Sequence, residues 1–317
     1  MITNEQREMR KTGIGGSDVS AILGLSKYRT PLTVYMEKLG LKSDTPTNQH
    51  MEFGNELEPF ILSKYADMQA KYSLKEVTLQ TDIPTQRHKD YPFLLANVDG
   101  LTNDNIIVEA KNVGIYGDKG DYNGHAWGQQ RTSQIPNSYL LQVAHYCMVM
   151  DKPEAHIVPY FGGSDIRIYI YHRNAEFEQN IQRICSHFWH EHVLKRVPPL
   201  DKCTFTDLGQ LWKSIDTESK AVADSYIART IQRLRENRAQ QNELENEESA
   251  LKSVVCSFMK ENASLVDLEG NILASWNEQK RTNVNLTELR KKHGELIQSF
   301  TEEKTTRIFR LKEEIIS

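Results

Sequence analysis

The chain has 317 residues, 38% of them hydrophobic and 26% charged, with 39 Lys and Arg against 43 Asp and Glu. That length allows one large domain or a larger domain with an appendage; no apolar run approaches the ~20 residues of a membrane span or makes a signal core, so no membrane association and a cytoplasmic location are expected. The net charge of −4 argues against a free-standing nucleic-acid-binding module, but not against an enzyme that gathers its basic residues on one inner surface.

Residues 1–40 open with Arg10-Lys11-Thr12-Gly13-Ile14-Gly15-Gly16-Ser17-Asp18, a glycine-rich turn leading into the apolar run Val19, Ile22, Leu23. Ser17 or Asp18 is a natural N-cap, and a helix start after glycines offers free N–H groups to an anion. Lys27-Tyr28-Arg29 is either a solvated basic turn or a source of DNA-backbone contacts. Thr30-Pro31 to Leu39-Gly40 has a cap, a proline at the first helical position and a glycine after the end, which predicts a short helix. A second helix is predicted over Asn48 to Met68, with Met51, Phe53, Leu57, Phe60, Ile61 and Tyr65 near helical spacing and Pro59 kinking it or starting its later half.

A strand is predicted over Ser73 to Thr81, then a hairpin over Phe93 to Lys111, with Asp99 at the end of its first strand. Alternation puts Glu109 and Lys111 on one face and Val108 and Ala110 on the other. Charges at i and i+2 on a half-buried strand need compensation. Asp99, Glu109 and the Ala110 carbonyl offer hard oxygen ligands for Mg²⁺ or Mn²⁺. Lys111 beside them is placed to orient or deprotonate an attacking water and to balance transition-state charge. The chemistry this implies is metal-assisted phosphodiester hydrolysis.

Gly114 to Asn137 reads as a long loop in which Tyr116, Tyr122, His125 and Trp127, among Lys119, Gln129 and Arg131, suit either splayed nucleotides or packing onto their own domain. A helix over Ser138 to Met150 carries Gln142 beside the hairpin. Strands over Ala155 to Phe161 and Ile166 to Tyr171 follow, joined by Gly162-Gly163-Ser164, and a helix from Ala175 to about Lys195 closes the domain. His187, His190 and His192 do not share one helix face and are not read as metal ligands. The four cysteines, Cys147, Cys185, Cys203 and Cys256, contain no C-x-x-C pair, which argues against a zinc ribbon or iron–sulfur cluster.

Pro198-Pro199 is the expected boundary, giving a first domain of residues 1–200. Residues 201–263 are expected to form two antiparallel helices or a coiled-coil arm around an interrupted apolar stripe. Residues 264–317 are expected to form a small α+β module: a hairpin over Leu265 to Trp276 turning at Glu269-Gly270-Asn271, a helix near Leu286 to Lys292 and a strand at Thr306 to Leu311.

The pattern Asp99…Glu109-Ala110-Lys111 resembles the core of the PD-(D/E)XK nuclease superfamily. More narrowly, Gly13-Ile14-Gly15-Gly16-Ser17-Asp18, Gly54-Asn55-Glu56-Leu57-Glu58 and Tyr139-Leu140-Leu141-Gln142-Val143 are similar, in order, to the YqaJ-type viral recombinase exonucleases, relatives of phage lambda exonuclease. The resemblance implies an α/β (α+β) fold, with a central mixed sheet flanked by helices and a C-terminal helical or α+β appendage. It implies that Glu58 reaches the metal site, that Gln142 supports Lys111 and the nucleophilic water with Tyr146 as a neighbour, and that Arg10 and Ser17 hold a 5′-phosphate, with Lys27 and Arg29 as further DNA contacts. It also implies 5′-to-3′ digestion of linear double-stranded DNA, a phage-type single-strand annealing protein as partner, and a homo-oligomeric ring, a trimer. A PD-(D/E)XK endonuclease, either restriction-type or a junction resolvase, and a non-catalytic DNA-binding or assembly protein on the same fold are the rivals.

Overall fold

The computed structural model describes residues 4–42, 49–114, 127–302 and 307–312. Its contacts divide the chain into two units, residues 1–212 and 213–317.

The first unit opens with α1 (Asn4–Lys11), β1 (Ile14–Gly15) and α2 (Gly16–Ile22). Next is α3 (Pro31–Lys38), where the Thr30 hydroxyl accepts the Thr33 N–H at 3.1 Å and Gly40 takes φ +66° just past the end, as the cap and glycine pattern requires. α4 (Gln49–Ser73) runs unbroken through Pro59 and ends later than expected. It consumes the first residue of the strand expected over Ser73 to Thr81, of which only β2 (Leu79–Gln80) forms. Leu74, an apolar residue within that predicted strand, takes φ +56° just past the helix end and is exposed.

Two sheets then form where the sequence suggested one hairpin. β3 (Gln86–Arg87) and β4 (Leu94–Ala96) belong to a small sheet in which β4 pairs parallel to β1 and antiparallel to β3. The hairpin partner of β6 (Ile107–Val113) is instead β5 (Gly100–Thr102), so Asp99 immediately precedes the first hairpin strand rather than ending it. The reason lies at Gly13: its N-terminal segment runs so close to Phe93 that a Cβ there would stand 2.3 Å from the Phe93 carbonyl oxygen, and Ile14 N–H donates to that oxygen at 2.6 Å. The run Phe93–Ala96 is thereby captured by the chain's beginning.

α5 (Asn137–Met150) crosses over to β7 (Glu154–Phe161), which lies parallel to β6 in the register Glu109 opposite Ile157. The strand expected over Ile166 to Tyr171 is interrupted into β8 (Asp165–Ile166) and β9 (Tyr169–His172), both antiparallel to β7. The gap falls opposite Pro159, which has no N–H to give the ladder; its carbonyl accepts Arg167 N–H at 3.2 Å. The result is a mixed sheet, β2-β5-β6-β7 with β8 and β9 on its far edge. α5 covers one face through Val143, Ala144 and Cys147 against Ile107, Ala155 and Ile157; α4 covers the other through Ile61, Leu62 and Tyr65 against Val108 and Val158. Burial on both faces explains the nearly unbroken apolar run Ile106–Val108. This mixed sheet flanked by helices is the expected fold class.

α6 (Ala175–His187) continues into a π-helical turn, Phe188–Leu194, which the helical pattern did not distinguish. There Trp189 stacks on Phe93 with ring centroids 5.7 Å apart, while His190 Nδ1 and His192 Nδ1 donate to the Ser186 and Val197 carbonyls. The first unit ends at Trp212 rather than at Pro198-Pro199, because α7 (Phe205–Leu211) carries buried Asp207, whose carboxylate accepts the hydroxyls of Thr30 at 2.9 Å and Thr33 at 3.1 Å.

In the second unit a single 35-residue helix, α8 (Ser225–Met259), replaces the two antiparallel helices. β10 (Ser264–Val266) and β11 (Ile272–Ser275) make the expected hairpin, with Gly270 at φ +88° in its turn. α9 (Leu286–Ser299) is longer than expected and is broken at His293. Residues 307–312 are not a strand, and Thr306 lies outside the described residues.

Candidate active site

β6 presents Glu109 and Lys111 toward α5, as alternation requires. Glu109 is buried. Its Oε1 accepts Lys111 Nζ at 2.5 Å and Gln142 Nε2 at 2.6 Å, and Gln142 Nε2 also lies 2.9 Å from the Tyr146 hydroxyl, one turn along α5. Glu109 Oε2 has no hydrogen-bond partner among the described residues. Asp99 Oδ2 accepts the Ala110 N–H at 2.8 Å, which fixes it beside the second hairpin strand although it sits before the first.

The electrostatics follow from crowding two acids into a buried space. Burial, then the neighbouring Asp99, push the Glu109 carboxyl up to about 8 against the pull of Lys111. Burial raises Asp99 as well, opposed by Lys111 and by its Ala110 hydrogen bond. Burial alone would lower Lys111, but Glu109 and Asp99 outweigh it and hold the ammonium well above its ordinary value. Lys111 Nζ also lies 5.5 Å from the centre of the Tyr139 ring. Glu58, half-buried on α4, is raised by burial and then by Asp99, so it belongs to the same electrostatic group.

A cavity of about 360 Å³ opens beside this cluster, bounded by Gln142, Tyr139, Asn112, Ser17, Lys27 and Trp127. Ser17 and Lys27 are exposed at this cavity, so the structure joins them to the Glu109 end of the sheet. Arg10, at the exposed end of α1, lies close enough to oppose the rise of the Tyr146 hydroxyl, which burial and Glu109 hold well above its ordinary value. Arg29 is elsewhere: its guanidinium pairs with Asp18 at 2.6 Å and with Glu37. That engagement ties it to two carboxylates of its own chain.

The start of α2 differs too. Its N-cap is Gly15, not Ser17 or Asp18, and Asp18 at the third helical position accepts the Gly15 N–H at 3.0 Å. Asp18 is itself neutralised by Lys38 Nζ at 2.6 Å, and burial fails to raise its carboxyl because Lys38 and Arg29 hold it far below the usual range. Asp18 thus satisfies the Gly15 N–H at this helix end. Gly16 is there for packing: a Cβ would meet Tyr146 Cε1 at 2.6 Å and the Gln142 carbonyl at 2.9 Å. Trp127 packs against Tyr139, Phe161 and Tyr169, and the Arg131 guanidinium covers the Tyr72 ring, so these two loop residues take the packing role. Tyr116, Lys119, Tyr122 and His125 lie outside the described residues. Buried Lys38 also donates to the Arg10 carbonyl at 2.7 Å; a lysine at the end of a short helix carries no local signal for that burial.

The donor set suits a hard divalent cation. Among the described residues no three His, Cys, Asp or Glu side chains gather as ligands; the neighbouring carboxylates of Asp99 and Glu109 remain, and the buried Glu109 Oε2 lacks a hydrogen-bond partner among those residues. Mg²⁺ is commonly held by one or two carboxylates with waters and substrate phosphate completing its shell.

Residues 6–153, which include every residue of this cluster, match the YqaJ-like viral recombinase domain. That match covers a little under half of the chain. The uncharacterized protein YqaJ of Bacillus subtilis (strain 168) is 26% identical over 311 residues, covering 96% of this chain and 92% of its own, so that likeness extends beyond the YqaJ-like domain into the second unit. Among solved structures, the alkaline exonuclease LHK-Exo from Laribacter hongkongensis is 16% identical with a TM-score of 0.47, covering 62% of this chain and 94% of its own. A phage-related exonuclease from Haemophilus somnus 129PT is 12% identical with a TM-score of 0.38, covering 58% of this chain and 96% of its own. No helix among the described residues is long and apolar enough to cross a membrane.

Proposed function

We propose that this protein is a Mg²⁺-dependent exonuclease that digests one strand of linear double-stranded DNA from its 5′ end. The 3′ overhangs it leaves would serve a phage-type single-strand annealing protein in homologous recombination. The observation that carries the reading is the buried Glu109 carboxylate, tied through one oxygen to Lys111 and Gln142 and, among the described residues, left without a hydrogen-bond partner on the other, beside Asp99.

Asp99, Glu109 and the Ala110 carbonyl would hold the metal, with Glu58 adding negative charge nearby; Mn²⁺ would substitute. Bound there, Mg²⁺ supplies Lewis-acid polarisation of a phosphoryl oxygen and a water of lowered pKa. Lys111 stays protonated and offers its ammonium to the charge that develops on the phosphoryl oxygens. Gln142 holds the Glu109 oxygen in place and Tyr146 holds Gln142, so the carboxylate is oriented before substrate arrives. Arg10, Ser17 and Lys27, near or at the mouth of the same cavity, would receive the terminal 5′-phosphate and its neighbours. A closed homotrimeric ring around the DNA would give processivity by topology.

The test is Mg²⁺-dependent digestion of 5′-phosphorylated linear duplex beside the same DNA as a covalently closed circle. Loss of the linear form alone, with 3′ single strands accumulating and Lys111→Ala abolishing turnover but not DNA binding, is the expected result. Cleavage of the circle would replace this reading with an endonuclease, and survival of both substrates with a binding or assembly role.

A further inference from the structure

α8 is about 52 Å long at 1.5 Å per residue, and nearly all of it is exposed within its unit. Six of its large apolar residues fall into one heptad register with polar residues between them, while Tyr226, Ile231, Val254 and Met259 lie outside it. Ile227, Leu234 and Val255 share the a position with Gln241 and Glu248 between them; Leu244, Leu251 and Phe258 share the d position, preceded by Thr230 and Asn237. Leu251 and Phe258 are 61% and 74% exposed, values that a core-facing stripe would not show. The rest of the unit covers a different side of the helix. Arg235 Nη2 donates to the Lys312 carbonyl at 3.1 Å, and Met259 is buried toward the β10–β11 hairpin end, leaving the a and d seam open.

Charge is split along the same helix. Arg229, Arg233, Arg235 and Arg238 occupy the first half, with Glu236; Glu243, Glu245, Glu247 and Glu248 occupy the second, with Lys252. A helix with an apolar seam, a basic half and an acidic half is complementary to itself only when reversed.

We propose that α8 pairs with α8 of a second copy of this chain as an antiparallel, two-fold coiled coil. In that arrangement each a residue faces a d residue of the other copy, so the layers are Ile227 with Phe258, Thr230 with Val255, Leu234 with Leu251, Asn237 with Glu248 and Gln241 with Leu244. The flanking e positions bring Arg238 against Glu245 at two symmetry-related places, and no like charges meet. A parallel pair would instead set Glu248 against Glu248 in the seam and Arg233 against Arg238 on its flank, the juxtapositions that reject a partner. The two-fold contact is isologous and closes after two copies. It uses no residue of the candidate active site, and it is independent of the nuclease reading.

The test is sedimentation equilibrium of the full chain beside a Leu234→Arg/Leu251→Arg variant, with circular dichroism to establish that both are folded. The variant is expected to have half the mass of the parent, whatever further assembly the first unit makes. Orientation is read by disulfide trapping in a Cys256→Ser background. Asn237→Cys/Glu248→Cys is expected to give a covalent dimer on oxidation, and Glu248→Cys alone to give none. An unchanged mass in the arginine variant would overturn the proposal, including the case where that variant instead changes DNA affinity. Efficient crosslinking by Glu248→Cys alone would overturn the antiparallel assignment.

Discussion

Replacing Gly16 with alanine tests whether the close approach of α2 to α5 sets the geometry at Glu109. The new Cβ would stand 2.6 Å from Tyr146 Cε1, 2.9 Å from the Gln142 carbonyl oxygen and 3.1 Å from Gln142 Cγ. Ordinary carbon contacts begin near 3.5 Å, so the ring contact is short by roughly 0.9 Å. The ring can tilt, but the carbonyl belongs to the backbone of α5 and moves only if the helix does. Overpacking of this kind costs about 1–3 kcal/mol, which for a unit of this size lowers the melting midpoint by roughly 2–12 °C. The displaced helix carries the amide that holds Glu109 at 2.6 Å, and misplacement by up to an ångström costs on the order of 10²-fold in rate. Gly54→Ala, where a Cβ meets nothing within 4 Å, is the control. Thermal unfolding and Mg²⁺-dependent digestion of linear duplex read the two effects. A Gly16→Ala protein with the parent's midpoint and turnover would refute the reasoning.

Glu109→Gln should change the pH dependence of stability in the absence of divalent metal. Because the folded-state carboxyl is raised from 4.5 to about 8, the native state keeps a proton that the unfolded chain releases; the contribution is fully present below about pH 4.5 and is lost as pH rises through 8, at up to ~1.4 kcal/mol per pH unit. Urea midpoints in EDTA at pH 5 and pH 8 should diverge for the parent and converge for the variant, and parallel behaviour would remove the argument. Arg29→Ala should cost about 1–3 kcal/mol in stability, since it strips a charged partner from buried Asp18, while leaving DNA affinity by fluorescence anisotropy nearly unchanged. A tenfold loss of affinity without loss of stability would restore Arg29 to the DNA surface. Asp207→Ala should destabilise the protein by about 1–3 kcal/mol, because the hydroxyls of Thr30, Thr33 and Thr204 lose one shared acceptor. An unchanged urea midpoint would mean that α7 contributes nothing to the first unit.

What the sequence settled by itself is what depends on neighbours two to four residues apart. Alternation put Glu109 and Lys111 on one face of β6, and the Thr30-Pro31 start with Gly40 at the end delimited α3. The apolar run before Glu109 marked a strand, and the helix over Ser138 to Met150 carried Gln142 beside it. Each of these rests on the fixed periods of strand and helix. The tertiary structure decided what depends on which distant segment arrives first. Residues 94–96 pair with β1 because Gly13 permits a contact no other residue would fit, which leaves β5 as the partner of β6. Arg29 and Lys38 converge on buried Asp18 across unrelated turns, so a residue read from the sequence as a DNA contact is tied into an ion network of its own chain. The Glu109 carboxyl is raised because burial and Asp99 act on it together. Such outcomes are fixed by packing and desolvation between segments far apart in the chain, and no local period encodes them.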